Sequence, residues 1–323
     1  MTTPELVDVH ARAADDLHRM VLDMLPPDLF DLEDIDAARA RLDGLLSAMP
    51  APELPDGLSV DVVTIAGLDD DPDLEVRVYR PADVGQDAPA LLWIHGGGLV
   101  LLDAESDEAN CAQRAVNVGC VVVSVDYRLA PESPFPAAVR DCYAALAWLA
   151  DNTAELGVDP ARIAIGGASA GGGLAAGLAL MARDRGGPDI CFQLLVFPML
   201  DHRNITHSSQ VITDGRVWNR AANVAAWGYY LDGADEVSPY ASPAIATDVA
   251  GLPPAYIPVG DLDLFYDEDV AYAQALGRAG VPVELRVYPG AFHASSGLVA
   301  DAPLSVRWRG DEDDALRRAF AGS

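Results

Sequence analysis

A serine surrounded by small residues is the first candidate for chemistry in this chain. The segment Gly167-Ala168-Ser169-Ala170-Gly171 follows the apolar run 163–165 and leads into a stretch rich in glycine and alanine. A G-x-S-x-G segment on a sharp strand-to-helix turn exposes the serine hydroxyl as a nucleophile, and small neighbours relieve the crowding of the strained backbone. The pattern alone is moderately specific, because glycine-rich helix starts also produce it. We predict that Ser169 is the nucleophile of an acyl-transfer reaction.

A second glycine-rich segment lies upstream of this serine. His95-Gly96-Gly97-Gly98 follows the apolar run 91–94. When a serine on such a turn attacks a carbonyl, the developing oxyanion is stabilised by two sources of backbone N–H groups. One is the residue after the nucleophile and the other is a glycine-rich loop earlier in the chain. We expect Ala170, Gly97 and Gly98 to supply these donors.

The serine needs a general base, and the expected chain order is nucleophile, acid, histidine. The chain has six histidines. His293 is the one that follows a predicted strand (283–288) beyond the serine, in the loop 289–293. Position and elimination therefore favour His293, although an isolated histidine is more often a surface or core residue than a base.

Four acidic residues compete for the third position, and all of them follow the apolar run 255–259. Asp267 and Glu268 have a structural explanation as first-turn residues of a helix, where the helix dipole favours negative charge. Asp261 and Asp263 lie in the loop at the carboxyl end of the strand, where open α/β sheets place residues that face the ligand. The residues alone leave the choice between these two open.

The chain resembles the hormone-sensitive-lipase-like carboxylesterases, the bacterial group marked by a histidine-triglycine loop. The resemblance runs from about Val76 to His293 and includes Trp93-Ile94-His95-Gly96-Gly97-Gly98, Asp126-Tyr127-Arg128-Leu129-Ala130-Pro131-Glu132, the serine turn and Gly251-Leu252-Pro253-Pro254-Ala255. Within the group it is most similar to the acetyl-esterase and heroin-esterase type, which hints at small acyl groups.

This resemblance implies several roles. Its D-x-L-x-D-E pattern matches Asp263-Leu264-Phe265-Tyr266-Asp267-Glu268 at the first aspartate and the final pair, so it assigns the triad acid to Asp263, with Asp261 as the fallback. It also implies that the ring of His95 braces the glycine loop and takes no proton. Ala168 and Leu99 depart from the residues usual in the family, and we interpret them as changes in the substrate pocket.

The wider pattern predicts a mostly parallel sheet with helices on both faces, the α/β-hydrolase fold. Strand-like runs at 91–95, 120–126, 163–167, 191–197, 255–259 and 283–288 alternate with helix-like stretches at 106–117, 136–151, 170–184 and 267–279. Such alternation is typical of a sheet covered on both sides. The runs 60–65 and 74–79 predict an antiparallel entry to it.

Two stretches interrupt this alternation, and we expect them to form a small helical cap. Residues 1–50 are helix-like, and an insertion at about 201–232 carries Trp218, Trp227, Tyr229 and Tyr230. Residues 51–323 would then be the catalytic domain. Aromatic residues at helical spacing are more often packing than ligand contacts, so Trp218 is a weaker candidate for substrate binding. The charged turn after 121–125 has a structural explanation, an Arg128–Glu132 ion pair.

Composition excludes several function classes. The net charge is −29, and all 21 basic residues are arginine, so nucleic acid and stable membrane association are not expected. No metal or nucleotide motif is visible, so no cofactor is expected, and the four cysteines are predicted to be reduced thiols. The amino-terminal residues lack a signal-peptide pattern, which favours the cytoplasm. The acidity indicates either compositional drift or adaptation to salt.

Together these observations predict a serine carboxylesterase acting on small uncharged esters with short acyl groups. Lactonase, amidase and acyltransferase activities stay open, and so does a binding protein on the same fold. The resemblance also implies pairing into a homodimer through a sheet edge.

Overall fold

A twisted central sheet organises the molecule. The computed structural model describes residues 4–48 and 53–322, and in those residues eight strands run in the order β1-β2-β4-β3-β5-β6-β7-β8. The first pairings, β1 with β2 and β2 with β4, are antiparallel, and the others are parallel. The strands are β1 (Leu58–Ile65), β2 (Leu74–Pro81), β3 (Ala88–Ile94), β4 (Val121–Val125), β5 (Val158–Ala168), β6 (Phe192–Val196), β7 (Ala255–Leu262) and β8 (Val283–Phe292).

The strands form where the sequence analysis places them, and the antiparallel entry is confirmed. The inner strands β4 and β6 are buried at every position, as expected for strands covered on both faces. β5 extends further toward its amino end than the apolar run 163–165 indicates, because the pairing of Ala88 with Val158 adds to the ladder. The carboxyl ends of β3, β5 and β7 therefore meet at one edge, where the candidate residues lie.

Helices cover both faces of the sheet. The helices α5 (Ala137–Asp151), α7 (Ala170–Arg185) and α10 (Tyr266–Arg278) pack on one face, and α4 (Glu108–Val118) and α12 (Pro303–Ala321) pack on the other. The sequence analysis did not predict α12, whose residues Trp308, Leu316 and Phe320 join the second core layer. The α/β-hydrolase fold is confirmed.

The remaining helices lie outside this frame. They are α1 (Val9–Arg12), α2 (Asp16–Met24) and α3 (Ile35–Ser47) near the amino end, α6 (Thr153–Leu156), α8 (His207–Val211), α9 (Arg220–Leu231) and α11 (Ser295–Leu298), with a 3-10 turn at Pro243–Ile245. The amino-terminal segment and the insertion touch: Val7 N donates to Val211 O at 3.1 Å, and the hydroxyl of Tyr229 donates to Leu32 O at 2.9 Å. The predicted boundary between residues 50 and 51 lies outside the described residues.

The expected Arg128–Glu132 ion pair is wrong. Arg128 turns inward and binds the fully buried Asp141, with Nη2 at 2.6 Å from Oδ1 and the backbone N at 2.9 Å from Oδ2. Glu132 stays at the surface and pairs with Arg39 of α3. A buried carboxylate needs a cation, and this explains why Arg128 pairs with Asp141 and not with Glu132. Glu132 is left to bind the amino-terminal segment.

Two further observations concern the chain as a whole. Within residues 4–48 and 53–322, no helix combines the length and the apolar character needed to span a bilayer. Cys111, Cys120 and Cys142 are buried thiols outside any disulfide, and burial raises the pKa of each.

Candidate active site

Ser169 lies on the turn that joins β5 to α7. Its φ of 58° and ψ of −119° lie outside the regions that ordinary residues prefer, and the surrounding structure holds this strain. Ser169 N donates to Val196 O at 2.9 Å, and Ser169 O accepts from Met199 N at 2.9 Å. Glycine is required next to the turn, because a Cβ on Gly171 would lie 2.0 Å from Ile94 O.

The structure brings Ser169, His293 and Asp263 into one hydrogen-bonded chain. His293 Nε2 lies 3.0 Å from Ser169 Oγ, and His293 Nδ1 lies 2.8 Å from Asp263 Oδ2. Asp263 Oδ1 accepts from Phe265 N at 2.9 Å, which orients the carboxylate. Asp263 is 1% exposed, whereas Ser169 and His293 are each 7% exposed. The order nucleophile, base, acid is the geometry that removes a proton from the serine as it attacks a carbonyl.

The other three acidic candidates have different partners. Asp261 Oδ1 accepts from Gly290 N at 2.6 Å, and Asp267 accepts from Ser208 N at 2.7 Å. Glu268 Oε1 accepts from Leu200 N at 2.7 Å and from Asp201 N at 3.1 Å. Burial raises the pKa of Glu268 well above its usual range. These groups hold loops around the site and do not approach His293.

Two aromatic rings hold the imidazole edge-on. Phe197 and Phe265 lie with ring centroids 4.9 Å and 5.1 Å from that of His293, at interplanar angles of 68° and 82°. Sequence reasoning noted Phe265 only as an unusual loop residue and did not select Phe197. No local sequence pattern predicts either contact, because the two rings come from the separate loops after β6 and β7.

The candidate oxyanion donors follow the carboxyl ends of β3 and β5. Gly97 and Gly98 adopt φ values of 108° and 62°, and Ala170 is the first residue of α7. None of the hydrogen bonds formed within residues 4–48 and 53–322 uses the N–H of these three residues. Fixed and unused N–H groups, whether in a turn as at Gly97 and Gly98 or at a helix start as at Ala170, are suited to bind a developing negative charge.

His95 braces the glycine loop. Its ring is fully buried and stacks on Tyr127 with centroids 4.2 Å apart, and Nδ1 lies 2.8 Å from Gly96 O. Burial lowers the pKa of His95, so the neutral ring is favoured. The hydroxyl of Tyr127 donates to His95 O at 3.1 Å. These contacts match the supporting role that the family resemblance implies.

Ser169 opens into a cavity of about 470 Å³. Its apolar wall includes Phe30, Leu42, Leu101, Leu102 and Trp218, with Ala168 beside the serine. A polar end lies between α4 and α12 and includes Asn110, Arg114, Arg309, Glu312 and Asp313. The cavity size falls in the range of small-molecule sites, about 300 to 1,000 Å³.

The structure brings Ala168 and Trp218 to this cavity but not Leu99. Leu99 has a φ of 70° and is 3% exposed, and its side chain belongs to the apolar core. The turn that follows the three glycines directs Leu101 and Leu102 to the cavity instead. The expectation for Leu99 is therefore corrected: sequence position after the glycines does not reveal a backbone with positive φ. Phe30, Leu42 and the residues of α12 were missed, because they are distant in sequence from every motif.

The fold and this site define a class, the serine hydrolases of the α/β-hydrolase fold. The family model for the alpha/beta hydrolase fold matches residues 91–296. The chain belongs to this family, in its hormone-sensitive-lipase-like branch, and is a carboxylesterase.

Individual relatives agree with this membership. The chain is 37% identical to the carboxylesterase NlhH of Mycobacterium tuberculosis, over 95% of this chain and 96% of that protein. It is 35% identical to the ethyl acetate hydrolase of Pseudomonas putida, over 71% of this chain and 78% of that protein. The structure of a bacterial heroin esterase is similar with a TM-score of 0.89 and 43% identity, covering 99% of both chains.

Proposed function

We propose that this carboxylesterase hydrolyses small uncharged esters with short acyl groups, with Ser169 as the nucleophile. The observation that carries the proposal is the continuous hydrogen-bonded chain from Ser169 Oγ through His293 to Asp263. The apolar wall of the cavity favours an uncharged substrate. Two relatives have names that refer to an acetate ester and to heroin, which supports a small acyl group.

The proposed reaction has two acyl-transfer steps. His293 Nε2 takes the proton of Ser169 as Oγ attacks the ester carbonyl, and Asp263 holds the Nδ1–H tautomer. The N–H groups of Gly97, Gly98 and Ala170 receive the charge on the carbonyl oxygen. His293 then protonates the alcohol oxygen as the ester C–O bond breaks, which leaves the acyl group on Ser169 Oγ. Water attacks this acyl-enzyme with His293 again as base, the bond between Oγ and the acyl carbon breaks, and His293 returns the proton to Oγ as the carboxylic acid leaves.

The experiment compares the wild type with Ser169→Ala on p-nitrophenyl esters from acetate to palmitate. We expect the highest kcat/KM at the short chains and a loss of at least about a ten-thousandfold in Ser169→Ala. A maximum at long chains would move the protein to the lipases. If no ester is turned over in a serine-dependent manner, the alternatives gain support: a lactonase, amidase or acyltransferase, or a binding protein on this fold.

We also propose that the protein pairs into a homodimer through β8. In the described part of the chain β8 has a strand neighbour, β7, on one side only. The amino-terminal segment covers one end of this edge, where Gly290 O accepts from Ala14 N at 2.9 Å, but residues 283–287 are half-buried or exposed. That open part of the edge is a site for pairing with a second copy. Light scattering coupled to gel filtration should give twice the mass of 34.1 kDa for the wild type. Replacing Val287 by proline, which cannot donate a ladder hydrogen bond, should shift the mass to that of one chain.

A further inference from the structure

The ring of Trp218 rests directly on the glycine loop. A Cβ built on Gly98 would lie 2.1 Å from Trp218 Cη2 and 2.7 Å from Cζ2. The outer ring of the indole therefore occupies the space that a side chain at residue 98 would fill. Gly98 also has a φ of 62°, so this residue is constrained both by its own backbone and by the tryptophan.

A buried polar chain fixes the position of this ring. Trp218 Nε1–H donates to Asn223 Oδ1 at 3.0 Å, and Asn223 Nδ2–H donates to Asn204 Oδ1 at 2.6 Å. Asn223 is fully buried on α9, and Asn204 is 6% exposed. Buried amides that satisfy one another in this way rigidify their surroundings and define one arrangement.

The amino-terminal segment also contacts the ring of Trp218. Phe30 contacts Trp218 with ring centroids 5.6 Å apart and an interplanar angle of 71°. Trp218 is thus held between Phe30, the amide chain and Gly98, and it is 3% exposed. Each neighbour comes from a different stretch of the sequence.

We infer that Trp218 is a positioning residue for the oxyanion loop, and not only a wall of the substrate cavity. The indole keeps Gly98 in the conformation that directs its N–H toward the reacting carbonyl, and Asn223 keeps the indole in place. This inference rests on the proposed function, in which Gly98 is an oxyanion donor. It makes residues of the insertion part of the apparatus that stabilises the transition state.

The two roles for Trp218 differ in what they change. A wall residue alters KM for bulky esters and leaves kcat for the smallest ester unchanged, because the transition state loses no contact. A positioning residue alters kcat for every ester. Methyl acetate is the best substrate for this comparison, since its two methyl groups make the least contact with the indole.

The first variants are Trp218→Ala and Asn223→Leu. Complete loss of an oxyanion donor costs about a hundredfold to a thousandfold in kcat, so displacement of one should cost about tenfold to a hundredfold in Trp218→Ala. Asn223→Leu should lower kcat less than Trp218→Ala does, because it only loosens the indole. It should change KM little, because Asn223 is not among the residues that line the cavity. Both effects are measured on methyl acetate with a pH-stat.

Trp227→Phe is the matched control for Trp218→Phe. Trp227 is also a 3% exposed tryptophan of the insertion, but it does not line the cavity and its Nε1 has no hydrogen-bond partner within the described residues. Trp218→Phe withdraws the outer ring from Gly98 and should lower kcat. Trp227→Phe should keep kcat near the wild-type value. If urea unfolding shows that Trp218→Ala does not fold, the two phenylalanine variants still provide the comparison.

A double-mutant cycle tests the contact itself. Gly98→Ala should inactivate the wild type, because the new Cβ would meet the indole. In Trp218→Ala that clash is absent and only the strain of alanine at a φ of 62° remains, so adding Gly98→Ala should cost much less than it does in the wild type. If the two losses multiply independently, or if Trp218→Ala keeps the wild-type kcat on methyl acetate and changes only KM for larger esters, the inference is overturned. A wild type without serine-dependent hydrolysis would instead overturn the proposed function itself.

Discussion

Asp261 lies at the carboxyl end of β7 and Asp263 directly after the strand, and their carboxylates face different partners. Asp263 binds Nδ1 of His293, while Asp261 accepts from Gly290 N and lies 3.5 Å from a guanidinium nitrogen of Arg12. In the proposed mechanism Asp263 belongs to the proton-transfer chain, whereas Asp261 binds the backbone N–H of Gly290, in the segment that leads to His293. The residues alone left these two open because both aspartates follow the same apolar run and share the same local sequence signal.

The two aspartates should respond differently to the same substitution. Asp263→Asn should lower kcat by about ten-thousandfold, because an amide in this position favours the wrong tautomer of the imidazole. Asp261→Asn should retain most of the activity, since its amide oxygen still accepts from Gly290 N. Initial rates on p-nitrophenyl acetate check both. Equal losses in the two variants would contradict the assignment of Asp263.

The secondary-structure elements that carry the site were largely readable from the sequence. The alternation of apolar runs with helix-like stretches predicted β3 to β8 with the helices α4, α5, α7 and α10 between them. The inner strands gave the clearest signal because they are buried on both faces, whereas residues 283–287 of the edge strand β8 are half-buried or exposed. Other contributions were not readable. Phe30 and the α12 residues reach the cavity through tertiary packing that leaves no periodic signal, and Leu99 was misplaced because its positive φ is set by the glycine turn before it.

The contact of α3 with the catalytic core gives a prediction at the scale of elements. Arg39 donates to both carboxylate oxygens of Glu132 at 2.6 Å and 2.9 Å, and also to the backbone oxygens of Val100 and Ala130. The hydrogen bonds from Arg39 lower the pKa of Glu132 to about 2 from an ordinary 4.5. A lowered pKa in the folded state stabilises the protein above pH 4.5, and this contribution is lost as the pH falls toward 2.

Glu132→Gln should therefore lower the Tm at pH 7 and make progressively less difference between pH 4.5 and pH 2. The pair is largely exposed, so we expect a loss of about 1 kcal/mol at most. Thermal unfolding of the wild type and the variant across this range measures the difference in Tm at each pH. The titration of the other carboxyl groups affects both proteins equally and cancels in this difference. Asp28→Asn is the control, because Asp28 lies 4.0 Å from Arg41 and makes a weaker pair on the same segment. A Tm difference that does not depend on pH would rule out the Glu132 titration.

The charge of the whole molecule acts over longer distances than any of these contacts. With a net charge of −29, carboxylates repel one another across the surface, whereas an ion pair acts between atoms in direct contact, as Arg39 and Glu132 do at 2.6 Å. The Debye length falls from about 30 Å at 0.01 M salt to about 3 Å at 1 M. Added salt therefore removes repulsion between distant carboxylates before it weakens the pairs in direct contact. Screening of the repulsion should dominate, because an exposed pair contributes only about 0 to 1 kcal/mol.

We expect the Tm to rise between 0.01 M and 1 M NaCl, with most of the rise at the low end where the screening length shortens fastest. The matched variant carries Glu53→Gln, Asp70→Asn and Asp83→Asn, at exposed positions that take part in none of the ion pairs found within residues 53–322. It should have a higher Tm than the wild type at 0.01 M NaCl and a shallower dependence on salt, because it removes repulsion without breaking a pair. Differential scanning calorimetry of the two proteins gives both slopes. A flat curve for the wild type would contradict salt adaptation and favour compositional drift as the origin of the acidity, since self-repulsion would then have no measurable effect on folding.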